Sequence, residues 1–215
     1  MIGDKLNIKD KHSKAAKLIF DAIVGDLKPR TTFTVAGQSG AGKSEVAAAL
    51  AMLLDEAGHK TLILQQDDYF FYPPKTNHNR RVDDIEWVGT KEVNLKLLDE
   101  HMARFKQAQA VLQEKPLVIF DEDRITTESV DLSPFDVVIA EGTYTTLLEH
   151  VDYRVFIDRD YHDTREDRKE RGREKIDDFS EQIMKIEDRI ISKHRDLAQI
   201  IIRKDFSVEV AGGGA

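Results

Sequence analysis

Apolar residues recur at three- and four-residue spacing in four stretches of the chain, the pattern of a helix with one buried face. The first stretch covers residues about 10 to 27, and Pro29 predicts the end of that helix. An alanine-rich segment from Lys43 to Glu56 predicts a second helix. The same spacing predicts a third helix from about Glu92 to Gln113 and a long fourth one from Phe179 to Leu197.

Short runs of apolar and β-branched residues lie between these helices and predict strands, because such runs are too short for a helix. They are found at 31–36, 61–65, 117–120, 136–140, 153–157 and 198–203. Strands that alternate with helices predict an α/β fold, with a parallel sheet of about five strands covered by helices on both faces. The stretch 67–89 is interpreted as a long irregular loop, and such loops are uncommon unless they are functional.

The composition narrows the class of protein. With 215 residues, 40% of them apolar, the chain is long enough for one α/β domain and short for two. Its net charge of −8 leaves no broad basic surface for nucleic acid, and no apolar run reaches the roughly 20 residues of a membrane span. The lack of cysteine excludes disulfides and thiolate metal sites. Because the charged N-terminus lacks the apolar core of a secretion signal, the cytoplasm is the expected location.

The segment GQSGAGKS at 37–44 follows the first predicted strand and begins the second predicted helix. It matches G-x-x-x-x-G-K-[ST], in which a glycine-rich turn and a helix N-terminus bind phosphate through backbone N–H groups. We expect Lys43 to reach the β- and γ-phosphates of a nucleotide and Ser44 to bind Mg²⁺. The backbone cradle would be formed by Gly37, Ser39, Gly40, Ala41 and Gly42. A glycine-rich turn without a ligand is the alternative, and the neighbouring strand and helix argue against it.

Phosphate loops serve GTPases, motor ATPases and kinases alike, so other segments decide the reaction. The N-K-x-D segment expected of a GTPase does not occur in the chain. A kinase needs a carboxylate near the acceptor hydroxyl and an acidic group at the metal. Asp67 and Asp68 follow the second predicted strand and Glu141 follows the fourth, at the sheet edge where ligands bind. The alternative is that these residues begin turns or are solvated strand ends.

Arginines are concentrated in a nearly all-charged stretch, residues 163–175. They are Arg165, Arg168, Arg171 and Arg173, and their spacing puts several of them on one helical face. Such a cluster could cover the phosphates of a nucleotide as a lid. The interspersed glutamates are equally typical of a solvated surface.

The phosphate loop, the two acidic strand ends and the arginine stretch, taken in their order along the chain, resemble the motifs of the uridine kinase family of P-loop kinases. This family includes nicotinamide riboside kinases and is similar to phosphoribulokinase and pantothenate kinase. The resemblance covers roughly 32–204 and rests on the phosphate loop and on Q-D-D-Y-F at 66–70, V-I-A-E-G at 138–142 and E-R-G-R at 170–173. It implies a P-loop NTPase fold with an arginine lid, which transfers the γ-phosphate of ATP to a hydroxyl with Mg²⁺. By position, Asp67 would be the general base and a metal partner, and Glu141 a magnesium partner. Arg165, Arg168, Arg171 and Arg173 would contact ATP, with Lys43 and Arg171 acting on the transferred phosphate.

The acceptor region departs from that family. Where the family has an aromatic-D-x-P segment, this chain has E-W-V-G-T at 86–90, and the strand expected before a base-recognising histidine reads F-D-E-D-R at 120–124. Acidic residues cluster there instead: Asp83, Asp84, Glu86, Asp121, Glu122 and Asp123. Such a cluster suits hydroxyl donors or a cationic group. It repels an acceptor that carries phosphate or carboxylate, unless arginines such as Arg80, Arg81 or Arg124 turn inward.

The acceptor is therefore open at this point. It is a nucleoside, a sugar or a related metabolite, or else a non-nucleoside such as a phosphosugar, an organic acid or pantothenate. A regulatory protein that hydrolyses ATP slowly is the alternative outside the kinases. Trp87 either stacks on the substrate or packs, and the stripe from Ile183 to Ile190 is either core or a contact within a homo-oligomer.

These segments divide one predicted domain, residues 1–215, into regions with separate tasks. The sheet and its helices carry the nucleotide loop. The other regions are a helical extension at 1–30, an acceptor-binding excursion at 67–115, the lid at 163–175 and a flexible tail at 211–215.

Overall fold

The computed structural model describes residues 1–2, 6–172 and 177–210. Its strands are β1 (Thr31–Gly37), β2 (Thr61–Gln65), β3 (Val111–Ile119), β4 (Arg124–Asp131), β5 (Val137–Glu141), β6 (Tyr153–Ile157), β7 (Ile200–Ile202) and β8 (Val208–Val210). Six of them form one sheet in the order β2-β5-β1-β6-β7-β8. The first five in this order are parallel, and β8 is antiparallel to β7. The predicted parallel sheet of about five strands is therefore confirmed.

Six α-helices accompany the strands over the described ranges. They are α1 (Asp10–Ile23), α2 (Lys43–Glu56), α3 (Pro74–Asp83), α4 (Leu95–Lys106), α5 (Arg165–Arg171) and α6 (Asp178–Ile191). The longest of these have 14 residues, and no helix of the described part combines the length and apolar character needed to cross a membrane.

Both faces of the sheet are covered, because the buried strands are apolar on each side. In β5, Val137 and Ile139 pack with α1 and α2 in one hydrophobic cluster. Val138 and Ala140, which alternate with them, pack with α4 in a second cluster on the opposite face. This alternation is what a strand with two covered faces requires.

The predicted third helix, 92–113, is wrong at both ends. The helix begins after Asn94, whose side-chain oxygen accepts a backbone N–H at 3.1 Å, and it ends at Lys106. Ala108 then has a φ of 59°, a left-handed conformation that ends helices. Leu112, which fits the helical spacing, is buried in β3 instead. The predicted strand at 117–120 belongs to this β3, which pairs with β4 in a separate antiparallel hairpin and forms an isolated bridge to Ile2.

Other boundaries also differ from the prediction. Helices α1 and α6 are shorter than predicted. Residues 24–26 and 192–197, which continue the apolar spacing of these helices, form 3-10 turns instead. The stretch 67–89 is not irregular throughout, since Pro74 begins α3 at a position where proline is favoured. Strand β8 was not predicted, and it adds an antiparallel edge to the sheet.

Candidate active site

The phosphate loop lies at the carboxyl end of β1, where the chain turns into α2. Gly40 and Gly42 have φ angles of 74° and 100°, in the left-handed region that favours glycine. A Cβ on Gly40 would lie 2.6 Å from Cγ of Arg168, so a side chain there would displace α5. Ala41 closes the turn by donating its N–H to the Gln38 carbonyl at 3.0 Å. The loop thus presents backbone rather than side chains, as a phosphate cradle requires.

Gln38, a variable position of the sequence pattern, anchors this loop. Its side chain is fully buried, donates from Nε2 to the Met184 carbonyl at 3.0 Å and accepts the Ser39 N–H at 3.1 Å. Its carbonyl oxygen also accepts a hydrogen bond from Lys43 Nζ at 3.1 Å. Gly37, which precedes it, leaves no room for a side chain, because a Cβ would lie 2.9 Å from the carbonyl of Ile157. The loop is therefore tied to both β6 and α6.

Ser44 and Glu141 meet at the same sheet edge. The Ser44 hydroxyl donates to Oε1 of Glu141 at 3.1 Å, and Glu141 is 5% exposed. The parallel register of β1 and β5 places Glu141 beside Val35, just before the loop. Within the described ranges no group of three or more His, Asp or Glu side chains could hold a metal ion by itself. Two oxygen ligands fit Mg²⁺ that is bound mainly through substrate phosphates and water.

The two neighbouring aspartates have different surroundings. Asp68 is buried, accepts the Val118 N–H at 2.9 Å and pairs with Lys115 Nζ at 3.2 Å. The Met1 amino group also lies 3.0 Å from this carboxylate. Asp67 is partly exposed and borders a cavity, and no other described residue forms a hydrogen bond or ion pair with its carboxylate. Asp67 is thus the carboxylate that a substrate can reach.

Gln66, the residue before the two aspartates, anchors their segment to the end of β5. Gln66 is buried in a 3-10 turn and accepts the Tyr144 N–H at 2.7 Å. A Cβ on Gly142 would lie 2.2 Å from Cβ of Gln66, so only glycine lets the two segments approach. The Q-D-D and E-G motifs are therefore packed against each other through Gln66 and Gly142.

The cavity that Asp67 borders has a volume of about 640 Å³ and lies between α3 and α6. Arg81 of α3 lines it, and this guanidinium is held by two buried carboxylates. Nε donates to Glu92 at 2.6 Å and Nη2 to Glu187 at 3.3 Å. Although burial opposes it, the two carboxylates raise the pKa of Arg81. Glu92 also accepts bonds from Asn77 and the backbone of Gly89, both at 2.6 Å.

The predicted acidic cluster does not line this cavity. Its members lie on the end of α3, the following 3-10 turn and the β3–β4 turn, where four of them are exposed: Asp83, Glu86, Asp121 and Glu122. Asp84 instead accepts the backbone N–H of Glu86, and Asp123 accepts backbone N–H groups at the start of α3. Arg80 and Arg124 pair with acidic neighbours at the surface, whereas Arg81 turns inward. The buried negative charge comes from Glu92 and Glu187, to which the sequence pattern gave no signal.

Trp87 is a packing residue in this structure. Its Nε1 donates to Asn77 at 2.9 Å, and its ring lies 5.8 Å from that of Tyr72. Tyr144 is buried nearby, and its hydroxyl has no partner among the described atoms. Burial is the main cause that raises the pKa of Tyr144, so its hydroxyl stays protonated and can donate a hydrogen bond.

Helix α5 lies within the segment 163–175 that the sequence predicts to be a lid. Arg168 is 7% exposed, lies against Gly40 and donates to the Tyr161 carbonyl at 3.0 Å. Arg165 is half-exposed and pairs with Glu181 at 3.4 Å. The side chain of Arg171 and the whole of Arg173 lie outside the described residues, so their predicted contacts stay predictions.

A further arginine beside the loop was not predicted from the sequence. Arg159 follows the C-terminal end of β6, a position that could have signalled it, and donates to Asp167 at 2.8 Å. Its Nη1 lies 3.5 Å from the Ala41 carbonyl. The Nε groups of Arg159 and Arg168 are both buried without a partner in the described structure. The two guanidinium groups therefore place positive charge beside the loop, which suits an anionic ligand there.

A family model described as Phosphoribulokinase / Uridine kinase family matches residues 32–210. The bifunctional alpha-galactosidase/sucrose kinase AgaSK of Mediterraneibacter gnavus is 28% identical over 198 residues, which are 86% of this chain and 21% of that protein. The chain therefore spans about a fifth of this relative's length.

Two solved structures share the fold. Phosphoribulokinase from Rhodobacter spheroides has a TM-score of 0.61 at 12% identity, over 80% of this chain and 69% of that one. D-glycerate 3-kinase from Cryptococcus neoformans var. grubii has a TM-score of 0.55 at 14% identity, over 93% of this chain and 98% of that one. At such identities the likeness supports the fold alone.

Proposed function

The chain belongs to the phosphoribulokinase/uridine kinase family. We propose that it is an ATP-dependent small-molecule kinase and that its acceptor is an uncharged, sugar-like molecule, which it phosphorylates on a hydroxyl group. The observation that carries this proposal is the position of Asp67. It borders the acceptor-sized cavity, while Gln65, two residues earlier, pairs with Glu141 in the sheet. A carboxylate between the metal edge and an acceptor cavity is what phosphoryl transfer to a hydroxyl needs.

The chain's own residues would hold the nucleotide as follows. Backbone N–H groups from Gly37 to Ser44 surround the phosphates, and Lys43 neutralises charge at the β- and γ-phosphates. Ser44, Glu141 and Asp67 are the oxygen ligands available to Mg²⁺, which would neutralise phosphate charge when bound. Arg159 and Arg168 lie beside the loop, and Arg165, Arg171 and Arg173 would complete the lid. We also propose a cytoplasmic location, where ATP and metabolite acceptors are found.

In the reaction, the acceptor hydroxyl loses its proton to the carboxylate of Asp67. The acceptor oxygen forms a bond to the γ-phosphorus while the bond from that phosphorus to the bridging oxygen of ADP breaks. ADP leaves with the electron pair of the broken bond, and the lid arginines stabilise its charge. Catalysis comes mainly from positioning and charge, as in other phosphoryl transfers.

The charge at the cavity favours an uncharged acceptor. Arg81 is the inward arginine, but Glu92 and Glu187 together outweigh its single positive charge. The charged side chains of the lining are Lys75 and Arg81 on one side of the balance and Asp67 and Asp177 on the other. With Glu92 and Glu187 held against Arg81, a phosphate or carboxylate on the acceptor would meet a net negative surrounding. The hydroxyl groups of a sugar, in contrast, can donate to the carboxylates and accept from the remaining N–H groups of Arg81. The name of the Mediterraneibacter relative, a sucrose kinase, agrees with this class.

A panel of acceptors incubated with ATP and Mg²⁺ and analysed by mass spectrometry tests the proposal. We expect phosphorylated products from neutral sugars such as sucrose or fructose, and little from D-glycerate or ribulose 5-phosphate. Better turnover of the anionic acceptors would overturn the acceptor class. ATP hydrolysis without any phosphorylated product would favour the regulatory ATPase instead.

Removing one carboxylate at Arg81 tests whether negative charge at the cavity selects against anionic acceptors. Glu187→Gln removes one of the two carboxylates at Arg81, so kcat/KM for an anionic acceptor relative to a neutral one should rise by roughly 10-fold. Glu100→Gln, on the exposed side of α4, is the control and should leave the ratio unchanged. An unchanged ratio in Glu187→Gln would remove the electrostatic basis of the proposal.

A further inference from the structure

Helix α1 lies before the residues that the family model matches, yet its first turn borders the phosphate loop. The two elements face each other across a cavity of about 240 Å³. Gly42 and Lys43 of the loop line one side, and Lys9 and His12 line the other. The residues that line the nucleotide side of the enzyme therefore include some from the N-terminal extension.

His12 has one ring nitrogen engaged and one available. The side chain is 5% exposed, and its Nδ1 accepts the backbone N–H of Lys9 at 3.1 Å. Because Nδ1 is the acceptor, the proton of the neutral ring is on Nε2. Burial lowers the pKa of His12, which favours this neutral form. Among the described residues none accepts a hydrogen bond from Nε2.

The available nitrogen is on the side of the ring that faces the loop. A Cβ on Gly42 would lie 3.1 Å from Nε2 of His12, so the imidazole edge lies directly against this glycine. The Phe206 ring, 5.2 Å from the imidazole, packs against it from a second direction. His12 thus holds a buried N–H donor in a fixed position beside the phosphate loop.

The same turn of α1 is joined to the lid. Lys9 pairs with Glu170 at 2.7 Å, and Lys11 pairs with Asp167 at 3.4 Å. These pairs offset the two carboxylates of α5 that face the cavity, and so reduce their repulsion of an anionic ligand. The cavity therefore combines a neutral donor, the loop backbone and Lys43 around one space.

We propose that His12 is a nucleotide-binding residue, whose Nε2–H donates a hydrogen bond to a phosphate oxygen of bound ATP. Helix α1 then forms one wall of the nucleotide site. The inference rests on the proposed use of ATP at the phosphate loop. It predicts that loss of this one donor weakens binding of the nucleotide without changing the recognition of the acceptor.

Isothermal titration calorimetry with Mg²⁺ and a non-hydrolysable ATP analogue, and separately with inorganic tripolyphosphate, tests this role. His12→Phe keeps a ring against Phe206 but removes the donor, and His12→Gln returns an amide N–H near the position of Nε2. The same two substitutions at His59, beyond the opposite end of α2, are the matched controls. His12→Asn, whose amide is shorter, replaces His12→Phe if the latter does not fold.

We expect His12→Phe to weaken both probes by about 10- to 100-fold, the usual loss for a hydrogen bond to a charged group. His12→Gln and the His59 variants should stay close to the wild type. Equal affinity of His12→Phe and wild type would overturn the inference, and so would a loss confined to the nucleotide with tripolyphosphate binding intact. A wild-type protein that binds neither probe would instead refute the proposed function.

Discussion

Replacing each of the two adjacent aspartates by asparagine should separate catalysis from stability. Asparagine keeps the size of the side chain and removes its charge and basicity. Asp67 borders the acceptor cavity without a partner among the described residues, so Asp67→Asn should lower kcat and leave the unfolding free energy nearly unchanged. Asp68 is buried against Lys115 and the Val118 N–H, so Asp68→Asn should lower the unfolding free energy.

The magnitudes follow from the contacts. Loss of a general base lowers kcat by roughly 10² to 10⁴, or about 3 to 5 kcal/mol in activation free energy. Breaking a buried ion pair costs about 3 to 5 kcal/mol. Because Lys115 keeps a second partner in Glu128 at 2.8 Å, we expect about 2 to 3 kcal/mol for Asp68→Asn. For a chain of this length that lowers Tm by roughly 5 to 10 °C.

Three measurements on each variant decide the matter: thermal unfolding, calorimetric affinity for the ATP analogue, and steady-state kinetics with the best acceptor of the panel. Asp67→Asn should lose kcat while Tm stays close to that of the wild type. If Asp68→Asn loses kcat at unchanged Tm and Asp67→Asn remains active, the assignment of the base is wrong by one residue.

Three further outcomes are expected. Lys43→Ala should abolish turnover, because the lysine neutralises charge on the transferred phosphate; full activity would contradict the phosphate-loop assignment. Uridine and cytidine should be poor substrates in steady-state kinetics, and kcat/KM of about 10⁴ M⁻¹s⁻¹ or higher would refute this. Burial lowers the pKa of His101 to about 4, so the unfolded chain binds a proton between pH 6.5 and 4 that the native protein does not. As the pH is lowered through that window, the unfolding free energy should therefore fall by about 1.4 kcal/mol per pH unit. In denaturant titrations at several pH values, His101→Gln should reduce this pH dependence.

The fold could be predicted from the sequence where the pattern is local. The phosphate loop follows from its fixed spacing between a strand and a helix, and the parallel sheet follows from their alternation. The boundary between α4 and β3 could not be predicted, because Leu112 continues the helical spacing past the turn at Ala108. Only pairing with β4 shows that this segment is a strand.

The acceptor cavity was less predictable than the nucleotide loop. Arg81, Glu92 and Glu187 come from three separate parts of the chain, and no local pattern joins them. The acidic residues that are close in sequence lie at the surface instead, because they occupy the end of α3 and the tips of turns. Chain topology, rather than spacing, brings the buried charges together.

The strand order also decides when this chain can begin to fold during its synthesis. Among the strands of the described residues, β1 has β5 and β6 as neighbours, and β2 has β5 alone. Thr31 pairs with Val137, about 100 residues later, and a ribosome takes roughly 5 to 20 s to add that many residues. During this interval the apolar residues of β1 and β2 lack partner strands, and we expect the nascent chain to bind chaperones until β5 has left the ribosome.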